Sequence, residues 1–162
     1  MEKVEEIASY ICSRYESQWG KRIDEMKLHK LLYFCQRESL IQLGIPLFSE
    51  QFEAWKYGPV LITIRQLYQQ DKLHSPLADK AIRCLKAVFD KVFEIYAPKD
   101  SWSLSTLTHG ECSWQKARAQ MNGVPNGRAL LSIDDIREDA DRIRIRRFLL
   151  ERTDILQKIR FK

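Results

Sequence analysis

The stretch from Asp24 to Gly44, DEMKLHKLLYFCQRESLIQLG, constrains the fold more than any other. Leu28, Leu31, Leu32, Cys35 and Leu43 fall at helical spacing, and Tyr33 and Phe34 add apolar surface beyond that stripe. A helix resting on a core needs one apolar face. This one carries more, so other elements must cover it on several sides. Its ends are written locally. Asp24 can cap the first turn, Ile23 stands where a residue staples onto Leu28, and Gly44 suits the position past the last turn. The rest of the chain is therefore expected to pack around a central helix.

The remaining elements follow from spacing and punctuation. Val4, Ile7, Ala8, Ile11 and Tyr15 place an amphipathic helix over residues 2–18. Pro46 and the aromatic and β-branched composition of IPLFSEQFEAWKY favour short strands or an extended loop. Gly58 and Pro59 are expected to form a strand-to-helix corner, with Pro59 at the first helical position, where its missing N–H costs nothing. Val60, Leu61, Ile64, Leu67 and Tyr68 would be that helix's buried face. Ser75-Pro76 is expected to open a helix carrying Ile82, Leu85, Val88, Phe89, Val92 and Tyr96, which Ala97-Pro98 ends. Ser103 and Ser113 read as caps of two short helices, the second from Trp114 to Gln120. Asn122-Gly123 and Pro125-Asn126-Gly127 read as turns. Ser132 to Asp135 has capping-box shape, and Ile145, Phe148, Leu149, Leu156 and Ile159 stripe a final basic helix. The expected fold is mainly α, a compact single-domain bundle of about six to eight helices. One small β or extended element is expected around residues 45–58.

Composition excludes several classes of function. The 162 residues, 44% hydrophobic and 30% charged, suffice for a core without metal or disulfide staples. No apolar run approaches the roughly 20 residues a membrane span needs, and the acidic start MEKVEEIASY is unlike a signal peptide. A cytoplasmic protein with no membrane partner is expected. Cys12, Cys35, Cys84 and Cys112 are far apart and form no Cys-x-x-Cys pair, so they read as free thiols. His109 and Cys112 have ligand-like spacing but no companion pair, and no third group marks them as base and nucleophile. No phosphate loop and no His-Glu-x-x-His pattern is present. No metal, no cofactor and no catalytic residue is expected.

Four motifs occur in a fixed order: MKLHKLLYF (Met26 to Phe34), PLF (Pro46 to Phe48), EAWKYGPV (Glu53 to Val60) and LSTLTHGECSW (Leu104 to Trp114). Together they resemble the Panacea antitoxin domain, the GepA-like phage-associated family, over roughly residues 4–136. The resemblance implies a protein that neutralises a cognate toxin, encoded beside it, by direct contact. It also offers an alternative, an adaptor that delivers the toxin to a ClpXP-type protease. Some family members carry a DNA-binding segment at the N-terminus. Here the resemblance begins almost at residue 4, so no autoregulatory helix-turn-helix is expected. The Glu-Cys-Ser before Trp114 departs from the family pattern, which often has Pro nearby. Residues 1–136 are thus expected to form the antitoxin domain. Residues 137–162 would be a basic helical extension packed on it or continuing it, about which the resemblance says nothing.

Candidate partner-binding residues come from both parts. Lys27 and Lys30 share a helical face; they either snorkel over the core or join Tyr33, Trp55 and Tyr57 in a binding surface. Aromatic and charged anchors are what interface hot spots use. Trp55 has a core reading as well, and His109 a structural reading beside a partner contact. Leu31, Leu32, Gly58, Pro59 and Trp114 are read as structural. Of the net charge, 27 − 22 = +5, residues 137–162 supply 9 − 5 = +4. Arg142, Arg144, Arg146 and Arg147 therefore form a basic surface that can steer an acidic protein. The same arginines and a pI of ≈ 9.0 make nucleic acid the rival partner, although no recognised module accompanies them.

Overall fold

Every residue from Lys27 to Leu40 is buried, and all belong to one helix, α2 (Glu25–Gln42). The computed structural model describes residues 1–121 and 128–160, with side chains to residue 155. Before α2 runs α1 (Val4–Trp19). After it come a hairpin of β1 (Glu53–Trp55) and β2 (Gly58–Val60), then α3 (Ile62–Gln69), α4 (Asp79–Cys84), α5 (Lys86–Ile95), α6 (Ser101–His109), α7 (Cys112–Ala119) and α8 (Ile133–Arg160). The fold is mainly α, with eight helices and one two-stranded antiparallel sheet among the described residues.

The central position expected of residues 24–44 is observed: α2 packs against α1, α3, α5, α6, α8 and β2. Leu28, Leu31 and Leu32 are fully buried, in one core with Ile7, Ile11, Phe52, Ile64, Phe89 and Leu104. Asp24 caps α2 by accepting from the Lys27 amide at 2.9 Å, and Gly44 follows the helix at φ 71°. Leu43 leaves the expected stripe. It is the residue that ends the helix, and it is 45% exposed.

Four helix starts differ from expectation. Pro59 does not begin a helix. It lies in β2 opposite Ala54, and α3 starts three residues later. The hairpin turns on Lys56 and Tyr57, with Gly58 at φ 104°. The carbonyl of Pro59 is held by Lys30, so the extended path continues through Leu61. Ser75-Pro76 stays extended, because the Ser75 amide donates to Ser9 Oγ and Leu77 is buried; the helix waits for Asp79. α6 is capped by Asp100, which accepts from the Ser103 amide at 2.9 Å, rather than by Ser103 itself.

Ser113 does not cap a helix either. It lies in the first turn of α7, whose Cys112 and Ser113 amides donate to the Asp139 carboxylate of α8 at 2.6 and 2.9 Å. Ser132 does cap α8, accepting from the Asp135 amide at 3.0 Å. The segment before α8 pairs with the outer edge of β1 through Ala54 N–H to Ala129 O and Leu131 N–H to Phe52 O, both 2.8 Å. The turns expected within residues 122–127, and the side chains of Leu156 and Ile159, lie outside the described residues. No described helix is long and apolar enough to cross a membrane.

Candidate functional site

The hairpin and the first turns of α2 meet at a cavity of ≈ 430 Å³. Trp55 and Tyr57 stand at its mouth, 38% and 44% exposed. Neither is needed to fill the core. Both are held from behind: the Trp55 carbonyl accepts from Trp114 Nε1 at 2.9 Å and the Tyr57 carbonyl from Ser105 Oγ at 2.9 Å. The Trp55 indole N–H donates to Glu53, and the Arg65 guanidinium lies 5.1 Å from the centre of the indole face. Trp102, the most exposed aromatic of α6, meets Tyr57 edge-on at 5.3 Å.

His29 and Lys30 face the interior of the cavity. His29 Nδ1 accepts from the Leu61 amide at 3.2 Å, which fixes the tautomer with hydrogen on Nε2. That Nε2 is buried and has no hydrogen-bond partner; the nearest carboxylate oxygen, Glu25 Oε1, is 3.9 Å away and is engaged by Arg65. Burial, then the nearby charges of Lys30 and Arg65, lowers the His29 pKa to about 3, so the ring is neutral. Lys30 Nζ donates to Pro59 O at 3.0 Å. Burial brings its pKa down to about 7, with no carboxylate offsetting the effect. Gly58 makes the approach of hairpin to lysine possible. A Cβ there would lie 2.4 Å from Thr108 Oγ1 and 2.6 Å from Lys30 Cε, on a backbone already at φ +104°.

The comparisons with known proteins bear on this corner. A family model described as "Antitoxin SocA-like, Panacea domain" matches residues 28–115, more than half of the chain. The chain belongs to this family. The Panacea match contains His29, Lys30, the whole hairpin and α6, and it ends before α8. The chain is also similar to the antitoxin SocA of Caulobacter vibrioides (strain NA1000 / CB15N), 50% identical over 38 residues. That alignment covers 24% of this chain and 20% of SocA, about a fifth of the relative's length. No solved structure matches.

The Panacea domain brings together Lys30, Trp55 and Tyr57 of the expected set. It does not bring the others to them. Lys27 points elsewhere, buried, donating to Tyr15 Oη at 3.2 Å and Ala97 O at 3.3 Å. Tyr33 is fully buried and bonds Glu111, Ser113 and Asp139. Beside it Arg37, also buried, pairs with Glu111 and with Tyr96 Oη. This network ties α2 to α7 and α8. His109 is half-buried and stacks on Trp114 at 4.2 Å, where the pair backs β1. Arg142 and Arg144 pair with Glu138 and Asp141 of their own helix, while Arg147 reaches both oxygens of fully buried Glu38 at 2.8 and 2.9 Å.

Sequence reasoning missed His29, Arg65 and Trp102 as parts of this corner. His29 had a signal, since it lies inside the first motif beside Lys30. Arg65 had none, because its position depends on where α3 starts. Cys112 is buried and bonded into the first turn of α7 through its amide, and its thiol pKa is pushed up by burial.

Proposed function

We propose that this protein is an antitoxin that neutralises a cognate protein toxin by direct binding, and that the Trp55–Tyr57 corner is the contact surface. One observation carries the reading: the domain's own motif EAWKYGPV is folded so that its two aromatics face outward around a cavity. The buried Ser105 and the half-buried Trp114 hold their backbone carbonyls from behind. Exposed aromatics beside cations are the composition of interface hot spots. The function is binding, with no chemical step assigned to any residue.

The test is co-expression. The product of the gene adjacent to this one, expressed alone, should arrest growth, and co-expression of this chain should restore it. A neighbour that is harmless alone, or that stays toxic beside this chain, refutes the reading. The family resemblance offers protease delivery as the second mechanism, and the same experiment separates the two. Under occlusion the toxin accumulates, bound and inactive. Under delivery its level falls, and neutralisation is lost in a host lacking a ClpXP-type protease.

A further inference from the structure

We infer that the cavity is a socket for one carboxylate side chain, an Asp or Glu of the bound toxin, which His29 Nε2 and Lys30 Nζ recognise beneath the Trp55–Tyr57 rim. The inference rests on the antitoxin reading for the identity of the partner, and on the site alone for the chemistry. Its first support is the unpartnered donor. His29 is 2% exposed, Nδ1 is occupied by the Leu61 amide, and the Nε2 hydrogen has no acceptor among the described residues. Buried donors are nearly always satisfied, so an incoming acceptor is the expected completion.

The second support is charge. Lys30 holds a buried amine, protonated below about pH 7, with one hydrogen-bond acceptor, the Pro59 carbonyl, and no carboxylate pairs with it among the described residues. Around the cavity three cations, Lys30, Lys56 and Arg65, face one carboxylate, Glu25, which Arg65 already takes. A desolvated ammonium gains most from a charge-assisted bond to an anion. The third support is shape. At ≈ 430 Å³ the cavity admits a whole side chain, and Met26, Val60 and the Trp55 ring give its aliphatic stem apolar walls. A nucleic-acid phosphate is the poorer occupant. Backbone binding uses a track of cations on a polar groove, whereas this is a single half-open cavity flanked by Trp55 and Tyr57, with a buried lysine and histidine in its wall.

The experiment uses the labelled full chain and two probes of equal size, N-acetylglutamate α-amide and its neutral counterpart N-acetylglutamine amide, followed by NMR. The glutamate probe should raise the Lys30 titration midpoint and shift the His29 ring and Trp55 indole resonances; the glutamine probe should do neither. Lys30→Met should weaken glutamate binding by about tenfold or more. Trp55→Ala, at an exposed position, should weaken it as well, and it serves if Lys30→Met fails to fold. Equal response to both probes, no response, or tighter binding of inorganic phosphate at the same resonances overturns the carboxylate socket. In co-expression, wild-type rescue retained in full by Lys30→Met and Trp55→Ala sinks the socket and leaves the antitoxin reading standing. Carboxylate-selective binding without wild-type rescue does the reverse.

Discussion

Two surfaces of this molecule present apolar groups beside cations, and they are built in opposite ways. At the hairpin corner one cation, Lys30, lies inside, and the aromatics stand outside. Lys30 is buried under Gly58, and Trp55 and Tyr57 are fixed by hydrogen bonds to α6 and α7. Along the middle of α8, from Arg142 to Leu150, the apolar groups and most of the cations are outside. Ile145, Phe148, Leu149 and Leu150 are each more than half exposed, and Arg142 and Arg144 pair with carboxylates of their own helix. The difference teaches that an amphipathic pattern and a prepared site are separate properties. A prepared site holds groups that the fold leaves unsatisfied in fixed positions. Between Arg142 and Leu150, α8 pairs Arg142 and Arg144 within the helix, sends Arg147 to Glu38 of α2, and leaves its apolar face uncovered among the described residues.

The largest contrast is in stability. Leu32→Ala removes a fully buried side chain from the central helix and should cost about 2–5 kcal/mol. Leu149→Ala removes an equal side chain that is 57% exposed, and should change stability by no more than about 0.5 kcal/mol. Chemical denaturation of the two variants measures both. Similar losses would mean that the α8 stripe is covered, and would erase the distinction between the regions.

A second, smaller effect divides the arginines of α8. Arg147→Gln leaves the Glu38 carboxylate buried with Gln42 as its remaining hydrogen-bond partner, and should cost about 1–3 kcal/mol. Arg146→Gln, one residue earlier and exposed, should stay within about 0.5 kcal/mol. Equal melting temperatures would show that the Arg147–Glu38 pair does not weld α8 to α2.

The corner also leaves a signature in pH. The Lys30 pKa is about 7 in the folded chain against an ordinary 10.5. Between those values the unfolded chain binds the extra proton, so stability should rise with pH from about 7 towards 10.5, and the contribution should be lost as pH falls through 7. Lys30→Met removes the titrating group and should flatten that slope. Denaturation at a series of pH values in wild type and variant checks it; an unchanged slope would place the ammonium in water.

How much of this was legible follows from the range of each signal. The centrality of α2, its Asp24 cap and its Gly44 terminus are written within the helix itself, and all are observed. The α7 cap was not legible, because the group that accepts from Cys112 and Ser113 is Asp139, more than 25 residues away. Pro59 obeys a local rule for helix starts, and a tertiary bond from Lys30 overrides it. Lys30 itself reads as a surface residue by type. Its burial depends on a glycine 28 residues later in the chain, whose missing Cβ makes room for it. The candidate site was therefore half visible: its aromatics stand in a quotable motif, while its unsatisfied donors exist only once three segments meet.

The smallest expected effect tests the α8 surface alone. If that face serves as an electrostatic guide for an acidic toxin, its contribution is to the rate of encounter rather than to the bound complex. Exposed charges act together through a field, and each pair is worth little by itself, so a single substitution is a weak probe. Arg147 must be left in place, because its partner is the buried Glu38 and its loss would confuse stability with binding. Replacing Arg142, Arg144 and Arg146 with Gln keeps helix propensity and removes three positive charges from the exposed side. Stopped-flow association with the adjacent gene's product should slow a few-fold at low salt, and the difference should vanish as ionic strength rises and screening shortens the reach of the field. The dissociation rate and the melting temperature should barely move, in contrast to Trp55→Ala, which should act on dissociation. A triple variant that associates as fast as wild type at low salt would remove these arginines from recognition and leave the hairpin corner as the proposed docking surface.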